Sequence, residues 1–429
     1  MDKQRLLQIL LDQQDELDSL VNEDYVQRPE AKQFEFNSKL AQVVIGVRRS
    51  GKSTLCHMAL QEKGVKYGYV NFDDDRLYKL SVDDLNDVLE TLYIIYGTDV
   101  KYLFFDEIQN VDGWHLFVNR LLRLGLHVFV TGSNAKLLGT ELSTHLTGRY
   151  NEIRLYPFSF SEYCKARHVA TDKATTRNLA AQQVLLNEYL LKGGFPELDG
   201  ISNRHAYVEG IVNTIITKDI KARFKLRNEE VIKILANHFI NNVGQLANVK
   251  NITENLGIGT AKTVRNYMDY LTQAFLILPI SKFSYKSCVR IRGDKVYIVD
   301  TGLMTYRHNA LSPENLGWRL ENVVMMELLR RTHPWYQDIY YYRPGSKSRE
   351  VDFVVTDHSK VMELIQVSLD ISNPKTLKRE LTALAEASRK LQCDNLTLVA
   401  MSKTRTEELD GVKINIISAH EWLLAGHSY

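Results

Sequence analysis

The stretch Val43–Thr54, Val-Val-Ile-Gly-Val-Arg-Arg-Ser-Gly-Lys-Ser-Thr, constrains the fold more than any other part of the chain. It fits the pattern G-x-x-x-x-G-K-[ST], with Gly46, Gly51, Lys52 and Ser53 in the four fixed positions. β-Branched apolar residues precede the pattern, and the run that follows it can continue as a helix. A strand, a glycine-rich turn and a helix N-terminus direct backbone N–H groups toward one point, where a phosphate fits. We therefore predict a phosphate-binding loop.

The predicted nucleotide contacts lie in this loop and in the first turn of the helix: Gly46, Val47, Arg48, Arg49, Ser50, Gly51, Lys52, Ser53 and Thr54. Lys52 is expected to reach the β- and γ-phosphates, and Ser53 to offer its hydroxyl to Mg²⁺. A chance Gly-Lys-Ser turn is the alternative, and the strand–turn–helix context argues against it.

A second motif lies in Lys101–Asn110, where four apolar residues precede the adjacent carboxylates Asp106 and Glu107. The apolar run predicts a buried strand that ends at the same edge of the sheet as the phosphate loop. Asp106 is expected to hold the Mg²⁺ shell. Glu107 is expected to orient or deprotonate the attacking water, as a general base does. The two motifs, in this order, predict a protein that hydrolyses ATP or GTP.

Two further positions are catalytic candidates. The strand that begins at His127 ends in Ser133 and Asn134, either of which could hold the attacking water or cap the following turn. Arg149 lies on a glycine-containing turn before another strand. It could stabilise the charge that develops on the transferred phosphoryl group, and a plain surface arginine is the competing interpretation.

Composition bounds the class of protein. A chain of 429 residues predicts two or three domains, and 44% hydrophobic with 25% charged residues is typical of a globular protein. Four widely spaced cysteines without a C-x-x-C pair indicate neither a disulfide framework nor a zinc site. Because no apolar run approaches 18 residues, we expect no membrane span and a cytoplasmic location.

The rhythm of apolar runs predicts four segments. Residues 1–158 alternate strands and helices, which indicates a parallel sheet with helices on both faces. Residues 159–228 are mostly helical and are interpreted as a lid or connector. Residues 229–293 change to short helices, and residues 294–429 form a second α/β unit.

The third segment carries a helix-turn-helix pattern through Gly257 and Gly259. Its second helix would expose Lys262, Arg265 and Asn266, and two strands behind it would form a wing. The stretch between those strands adds four basic residues: Lys282, Lys286, Arg290 and Arg292. Basic residues beside a recognition-type helix favour contact with double-stranded DNA. A protein-interaction module is the alternative.

With these motifs in place, the whole chain resembles prokaryotic AAA-type ATPases that continue into a winged helix and a C-terminal domain related to PD-(D/E)xK nucleases. The resemblance rests on the two ATPase motifs (Walker A and Walker B) and on these stretches: Thr131–Asn134, Leu146–Arg149 with Leu155–Ser159, Gly193–Pro196, Val296–Leu303, Glu321–Asn322 and Arg349–Phe353. It implies ATP and Mg²⁺ as ligands, with ATP in preference to GTP.

The resemblance also implies that the last segment descends from metal-dependent nucleases. Such a site needs a carboxylate on one strand, then a carboxylate and a lysine two residues apart on the next. Asp352 supplies the first carboxylate, and Glu321 lies on the preceding helix. In place of Glu-x-Lys the chain has Gln366-Val367-Ser368, so we expect a degenerate site that does not cleave DNA.

The sequence thus predicts an ATP-driven switch or motor that acts on DNA or on a DNA-associated partner, with a homo-oligomer as one possible assembly. An ATP-dependent nuclease is the first alternative. An ATP-regulated protein-interaction module without DNA contact is the second.

Overall fold

The structure is a computed structural model that describes residues 2–20, 25–132, 146, 148–172, 175–226, 229–285, 294–308, 310, 315–345 and 348–426. The chain divides into two compact units, Met1–Tyr156 and Pro157–Tyr429. The boundaries predicted near residues 228 and 293 fall inside the second unit.

The first unit is built on a five-stranded parallel sheet, which confirms the predicted α/β fold of this part. The strands, in the order β2-β3-β4-β1-β5 across the sheet, are β1 (Ala41–Ile45), β2 (Tyr67–Asn71), β3 (Tyr102–Asp106), β4 (His127–Gly132) and β5 (Tyr150–Arg154). The helices are α1 (Lys3–Leu20), α2 (Lys52–Glu62), α3 (Leu85–Tyr96) and α4 (Trp114–Arg123).

The three central strands are buried almost throughout, because parallel strands are covered by helices on both faces. Val44, Phe104 and Phe129, one from each of these strands, pack in one apolar cluster with α2 residues such as Leu55 and Leu60. This packing joins α2 to the central strands. The start of α2, and with it the phosphate loop, is thereby positioned at the carboxyl edge of the sheet.

The second unit begins with helices and a small antiparallel sheet. The helices are α5 (Phe160–Ala166), α6 (Thr176–Lys192), α7 (Arg204–Thr214), α8 (Ala222–Phe224), α9 (Glu230–Asn241), α10 (Val249–Asn255) and α11 (Ala261–Gln273), with a π-helix at Ile215–Lys221 between α7 and α8. The sheet contains β6 (Gln245–Leu246), β7 (Ile277–Ile280) and β8 (Lys295–Ile298), in the order β6-β8-β7. The sequence pattern predicted β7 and β8 but not β6, because two exposed residues are too few to show the alternation of a strand.

A six-stranded mixed sheet follows in the same unit. Its strands, in the order β13-β14-β12-β11-β10-β9, are β9 (Gln337–Tyr342), β10 (Val351–Asp357), β11 (Lys360–Ser368), β12 (Leu396–Ala400), β13 (Arg405–Leu409) and β14 (Val412–Ser418). The associated helices are α12 (Gly302–Thr305), α13 (Leu316–Arg331), α14 (Pro374–Leu391) and α15 (Ala419–Leu424). The last hairpin and α15 were not predicted from the sequence.

Two of the motifs that carry the family resemblance meet around Asp300. Its carboxylate accepts hydrogen bonds from the backbone N–H groups of Gly194 at 2.6 Å and Gly302 at 2.8 Å. A Cβ atom at Gly193, where φ is +77°, would lie 1.8 Å from Asp300 Oδ1, so the close approach requires glycine. Burial raises the pKa of Asp300 to about 7. Close packing against Asp300 is therefore a sufficient reason for the glycine at position 193.

Candidate functional site

The predicted phosphate loop joins the carboxyl end of β1 to the N-terminus of α2. Gly51 caps α2 with a left-handed φ of +92°, a conformation that glycine adopts without strain. A Cβ atom at Gly46 would lie 2.0 Å from the carbonyl oxygen of Leu155. Both glycines are therefore required by the backbone of the turn.

The chemistry of this loop fits a phosphate. Lys52 is buried, with 6% of its surface exposed, and its Nζ donates to the Val47 carbonyl oxygen at 3.1 Å. Ser50 is fully buried, and its Oγ has no hydrogen-bond partner among the described residues. A buried ammonium beside an unsatisfied hydroxyl, at a helix N-terminus, is a suitable environment for phosphate oxygens.

Arg28 was missed by the sequence patterns. This buried guanidinium donates from Nη1 to the Ser50 carbonyl oxygen at 3.2 Å, and from Nη2 to the Tyr156 carbonyl oxygen at 2.6 Å. It thereby holds the backbone of the phosphate loop against the end of the segment that follows β5. No local motif marks such an arginine, because its partners lie 22 and 128 residues away.

The two residues predicted to hold Mg²⁺ are brought together. Asp106 ends β3, and its carboxylate is hydrogen-bonded by the hydroxyls of Ser53 and Thr131. Burial, reinforced by the adjacent charge of Glu107, raises the pKa of Asp106 to about 6. A hydroxyl and a carboxylate in contact are oxygen ligands of the kind that Mg²⁺ prefers.

Glu107 lies directly after β3 in a left-handed conformation, with φ of +52°. Its backbone N–H donates to Thr131 Oγ1 at 3.2 Å, and its carboxylate accepts a hydrogen bond from Gln109 Nε2. Non-glycine residues in this conformation carry a backbone cost of about 1–3 kcal/mol and cluster at functional sites. The sequence patterns assigned no role to Gln109, and the structure places its amide on the carboxylate of the candidate base.

Arg149 is not brought to this site within the chain. It precedes β5, and its carbonyl oxygen accepts a hydrogen bond from Ala41, at the amino end of β1, at 3.0 Å. The phosphate loop begins beyond Ile45, roughly 13 Å further along the strand at about 3.3 Å per residue. The exposed side chain of Arg149 therefore begins at the amino end of the parallel strands, whereas the phosphate loop lies at their carboxyl end. This position does not support a role for Arg149 in the site of its own subunit. Ser133 and Asn134 lie outside the described residues.

The predicted DNA contacts separate into two groups. Lys262, Arg265 and Asn266 are exposed on α11. Lys282 is half-buried because the chain after β7 pairs with β9, where the backbone of Phe283 donates to Tyr341 at 2.7 Å. Lys282 is thus less exposed than the three α11 residues, and its contact with DNA stays a prediction. Lys286, Arg290 and Arg292 lie outside the described residues.

The residues predicted for a degenerate nuclease site do not all lie in one hydrogen-bond network. Asp352 and Gln366 lie side by side on β10 and β11, where the Asp352 N–H donates to Gln366 Oε1 at 3.2 Å. The Gln366 amide in turn donates to Glu380 Oε2 at 2.9 Å. Ser368 is not part of this network, since its hydroxyl donates to the carbonyl oxygen of Asp370 at 3.3 Å.

A lysine does lie beside Asp352, but the sequence did not indicate which one. Lys375 and Lys378, on the adjacent helix α14, are both exposed. The ammonium next to Asp352 belongs to Lys295, at the start of β8, with Nζ 3.4 Å from Asp352 Oδ1 and 3.2 Å from Glu321 Oε1. Burial, followed by the charge of Glu321, raises the pKa of Asp352 to about 8.

In the part of the chain that the structure describes, no group of three or more His, Cys, Asp or Glu side chains is arranged to hold a metal ion. None of the described helices is long and apolar enough to span a membrane.

Comparison with known proteins identifies the families that this chain matches and two of its relatives. Residues 38–164 match the family described as AAA domain, and residues 183–314 and 316–422 match two domains of unknown function, DUF8612 and DUF4143. The uncharacterized protein MJ1544 of Methanocaldococcus jannaschii is 35% identical over 366 residues, covering 83% of this chain and 80% of that protein. An uncharacterized protein of Haemophilus influenzae is 30% identical over 401 residues, covering 89% and 94%.

Solved structures show a more distant likeness. The Walker-type ATPase PABY2304 of Pyrococcus abyssi aligns with a TM-score of 0.42 at 15% identity, covering 66% of this chain and 96% of that one.

Proposed function

Because this chain belongs to the family of AAA-domain proteins that includes the uncharacterized protein MJ1544, we propose that it is a Mg²⁺-dependent ATP hydrolase working as a switch or motor. One observation carries the proposal. Ser53 of the phosphate loop and Asp106 of the second motif share a hydrogen bond beside a buried lysine, although they are 53 residues apart in the sequence.

The residues of the candidate site would have distinct roles in hydrolysis. The loop Gly46–Thr54 would bind the phosphates, and Ser53 and Asp106 would hold Mg²⁺, which neutralises charge on the phosphate oxygens. Glu107 would take the proton of the attacking water, while Gln109 keeps its carboxylate in place. The family resemblance supports ATP in preference to GTP.

The direct test is phosphate release from ATP by the purified full-length chain, with Mg²⁺ or with EDTA, and with or without duplex or single-stranded DNA. Hydrolysis that requires Mg²⁺ is expected, with GTP turned over more slowly. Stimulation by DNA would support a role on DNA. A rate that DNA leaves unchanged would favour the protein-interaction alternative, and absence of turnover with ATP bound would contradict the proposal.

DNA association is proposed for the middle of the second unit. The element order α9, β6, α10, α11, β7, β8, with strand order β6-β8-β7, supports the interpretation as a winged helix. In this arrangement α11 takes the place of the recognition helix, and it exposes Lys262 and Arg265. The predicted wing, with Lys286, Arg290 and Arg292, follows β7.

We expect the double variant Lys262→Glu/Arg265→Glu to bind duplex DNA at least about tenfold more weakly, because two phosphate contacts become repulsive. Wild-type binding should show little sequence preference and fall steeply with added salt. Fluorescence anisotropy with labelled duplexes of two unrelated sequences measures both. A variant with Glu at Lys286, Arg290 and Arg292 extends the test to the wing.

The matched control is Lys375→Glu/Lys378→Glu, which makes the same charge change on exposed positions of α14. Equal loss in both double variants would indicate a nonspecific charge effect. Unchanged binding by the α11 variant would exclude this helix and favour a protein partner.

We propose further that the C-terminal part of the second unit is PD-(D/E)xK-like and does not cleave DNA. Asp352 and Gln366 lie adjacent on neighbouring strands, as the two acidic positions of such a site would. A neutral Gln366 amide compensates little cationic charge, and the Ser368 hydroxyl supplies no positive charge to a phosphate in the transition state.

Incubation of the protein with plasmid, linear and branched DNA, in Mg²⁺ and in Mn²⁺, should leave each substrate intact. Two uncompensated losses of charge, each worth a few kcal/mol in the transition state, bring the expected rate to background. Asp352→Ala is the control. Cleavage that disappears in the Asp352→Ala protein would promote the nuclease alternative.

A further inference from the structure

A buried lysine lies among three carboxylates in the second unit. Lys295 Nζ is 2.6 Å from Glu350 Oε1, 3.2 Å from Glu321 Oε1 and 3.4 Å from Asp352 Oδ1. The carboxylates come from α13 and from the start of β10, whereas the lysine comes from β8. Only 4% of the Lys295 surface is exposed. The ammonium is therefore enclosed by oxygen ligands from separate parts of the fold.

Contacts other than the lysine hold two of these carboxylates in place. The Tyr297 hydroxyl donates to Glu321 Oε1 at 2.7 Å, and the backbone N–H of Val367 donates to Asp352 Oδ2 at 3.0 Å. The site is bounded further by Gly244, where a Cβ atom would lie 3.1 Å from Glu321 Oε1. Because these contacts do not involve Lys295, two sides of the oxygen cage are held independently of the cation.

Without the ammonium of Lys295, the oxygen cage would need only a small contraction to suit a small hard cation. Carboxylate oxygens are the ligands of Ca²⁺ and Mg²⁺, and Ca²⁺ takes them at about 2.3–2.6 Å in flexible geometry. The distances from Lys295 Nζ, 2.6–3.4 Å, are those of ammonium pairs, so contraction by less than about 1 Å would reach the range for Ca²⁺. A carboxylate in such a partly or fully buried position is costly unless a cation is paired with it.

We propose that Lys295 is the resident cation of this carboxylate cage, occupying the position that a divalent ion would take and closing the site to metal ions. The contacts of Lys295 with Glu321, Glu350 and Asp352 are the basis of this proposal, which holds whether or not the fold descends from a nuclease. It assigns Lys295 a role that local sequence did not indicate. Because β8 and β10 belong to different sheets of the second unit, the same ammonium joins those sheets.

The test is the full-length Lys295→Ala variant titrated with Tb³⁺, a lanthanide that replaces Ca²⁺ at oxygen sites and emits when a nearby tyrosine is excited. Two tyrosines are built-in sensitisers: Tyr297, which is hydrogen-bonded to Glu321, and Tyr341, whose ring centroid is 6.0 Å from Lys295 Nζ. We expect a new site that binds Tb³⁺ at least about a hundredfold more tightly than any site in this region of the wild-type protein. A neighbouring unit charge at about 4 Å changes cation binding by that order or more.

Two double variants locate the signal. Lys295→Ala/Asp352→Asn removes one ligand charge and should lose the tight binding. Lys295→Ala/Tyr297→Phe should still bind Tb³⁺, as shown by Ca²⁺ competition in calorimetry, although more weakly because Glu321 loses a hydrogen bond. Its tyrosine-sensitised emission should fall, and Tyr341 remains as the second nearby tyrosine. Wild-type protein measured in parallel accounts for Tb³⁺ bound near the phosphate loop, which is the same in all variants.

Thermal melts with and without Ca²⁺ keep the result decisive if Lys295→Ala is unstable. A variant that regains its melting temperature with Ca²⁺ supports the proposal, since the ion then replaces the ammonium. A folded Lys295→Ala protein that gains no Tb³⁺ site would overturn it. So would wild-type protein that binds Tb³⁺ in the cage as tightly, or a variant that folds neither with nor without Ca²⁺.

Discussion

Replacing Glu107 with Gln should lower the rate of ATP hydrolysis by about a hundredfold or more while leaving ATP binding intact. The substitution keeps the size of the side chain but removes the carboxylate that would accept the proton of the attacking water. Glu107 lies directly after β3, where it is held by hydrogen bonds with Thr131 and Gln109. It is outside the loop that would bind the phosphates, so ATP binding should be retained. Binding of a fluorescent ATP analogue and phosphate release, measured on the same preparation, separate the two effects.

Lys52→Ala supplies the contrasting loss, because it removes a charge from the phosphates and should weaken nucleotide binding itself. The matched control for Glu107→Gln is Glu62→Gln, which makes the same chemical change at an exposed position at the end of α2 and should behave as wild type. If Glu107→Gln hydrolyses ATP at the wild-type rate, Glu107 is not the base. If Lys52→Ala binds ATP normally, the phosphate loop has been assigned incorrectly.

Arg149→Ala should lower the turnover number by roughly a thousandfold, the scale on which an arginine stabilises the transition state of phosphoryl transfer. We propose that it acts in the site of a neighbouring copy of the chain, because its own phosphate loop lies at the other edge of the sheet. A mixture of inactive Arg149→Ala and inactive Lys52→Ala proteins should then recover activity. The first protein contributes an intact loop, and the second contributes the arginine.

Arg123→Ala, which removes another exposed arginine of the same unit, is the control and should keep full activity. Size-exclusion chromatography of the wild-type protein with ATP checks that copies associate. A mixture that stays inactive while the copies do associate would exclude a shared site. Wild-type turnover by Arg149→Ala would leave this residue as a plain surface arginine.

Sequence reasoning was most successful where the determining interactions are local. The capping box of Ser81 and Asp84 is an example of such a local interaction, since the two residues are three apart and Asp84 Oδ2 accepts from the Ser81 N–H at 2.9 Å. It was least successful for short, exposed elements such as β6, and for the hairpin of β13 and β14. β6 and β13 are largely exposed, so their apolar periodicity is weak and pairing with a neighbouring strand decides their conformation. β14 does alternate, with Val412, Ile414 and Ile416 separated by polar residues, and its pattern was overlooked.

The nucleotide site shows the same division. Its loop could be located because the glycines, the lysine and the helix start all lie within a dozen residues. The carboxylate pair could be located because four apolar residues precede it in a buried strand. Arg28 could not be found, since its guanidinium serves backbone carbonyl groups distant in sequence, and a carbonyl group is present at every residue.

What the sequence determined by itself was therefore the phosphate loop, the carboxylates after β3 and the parallel α/β pattern of the first unit, because each depends on spacing along a short stretch. The tertiary structure alone decided the edge of the sheet at which Arg149 lies, since strand register sets that position. It also decided that the cation beside Asp352 is Lys295, 57 residues away. Long-range pairing of charges in a buried site is a property of the folded chain, and no local pattern encodes it.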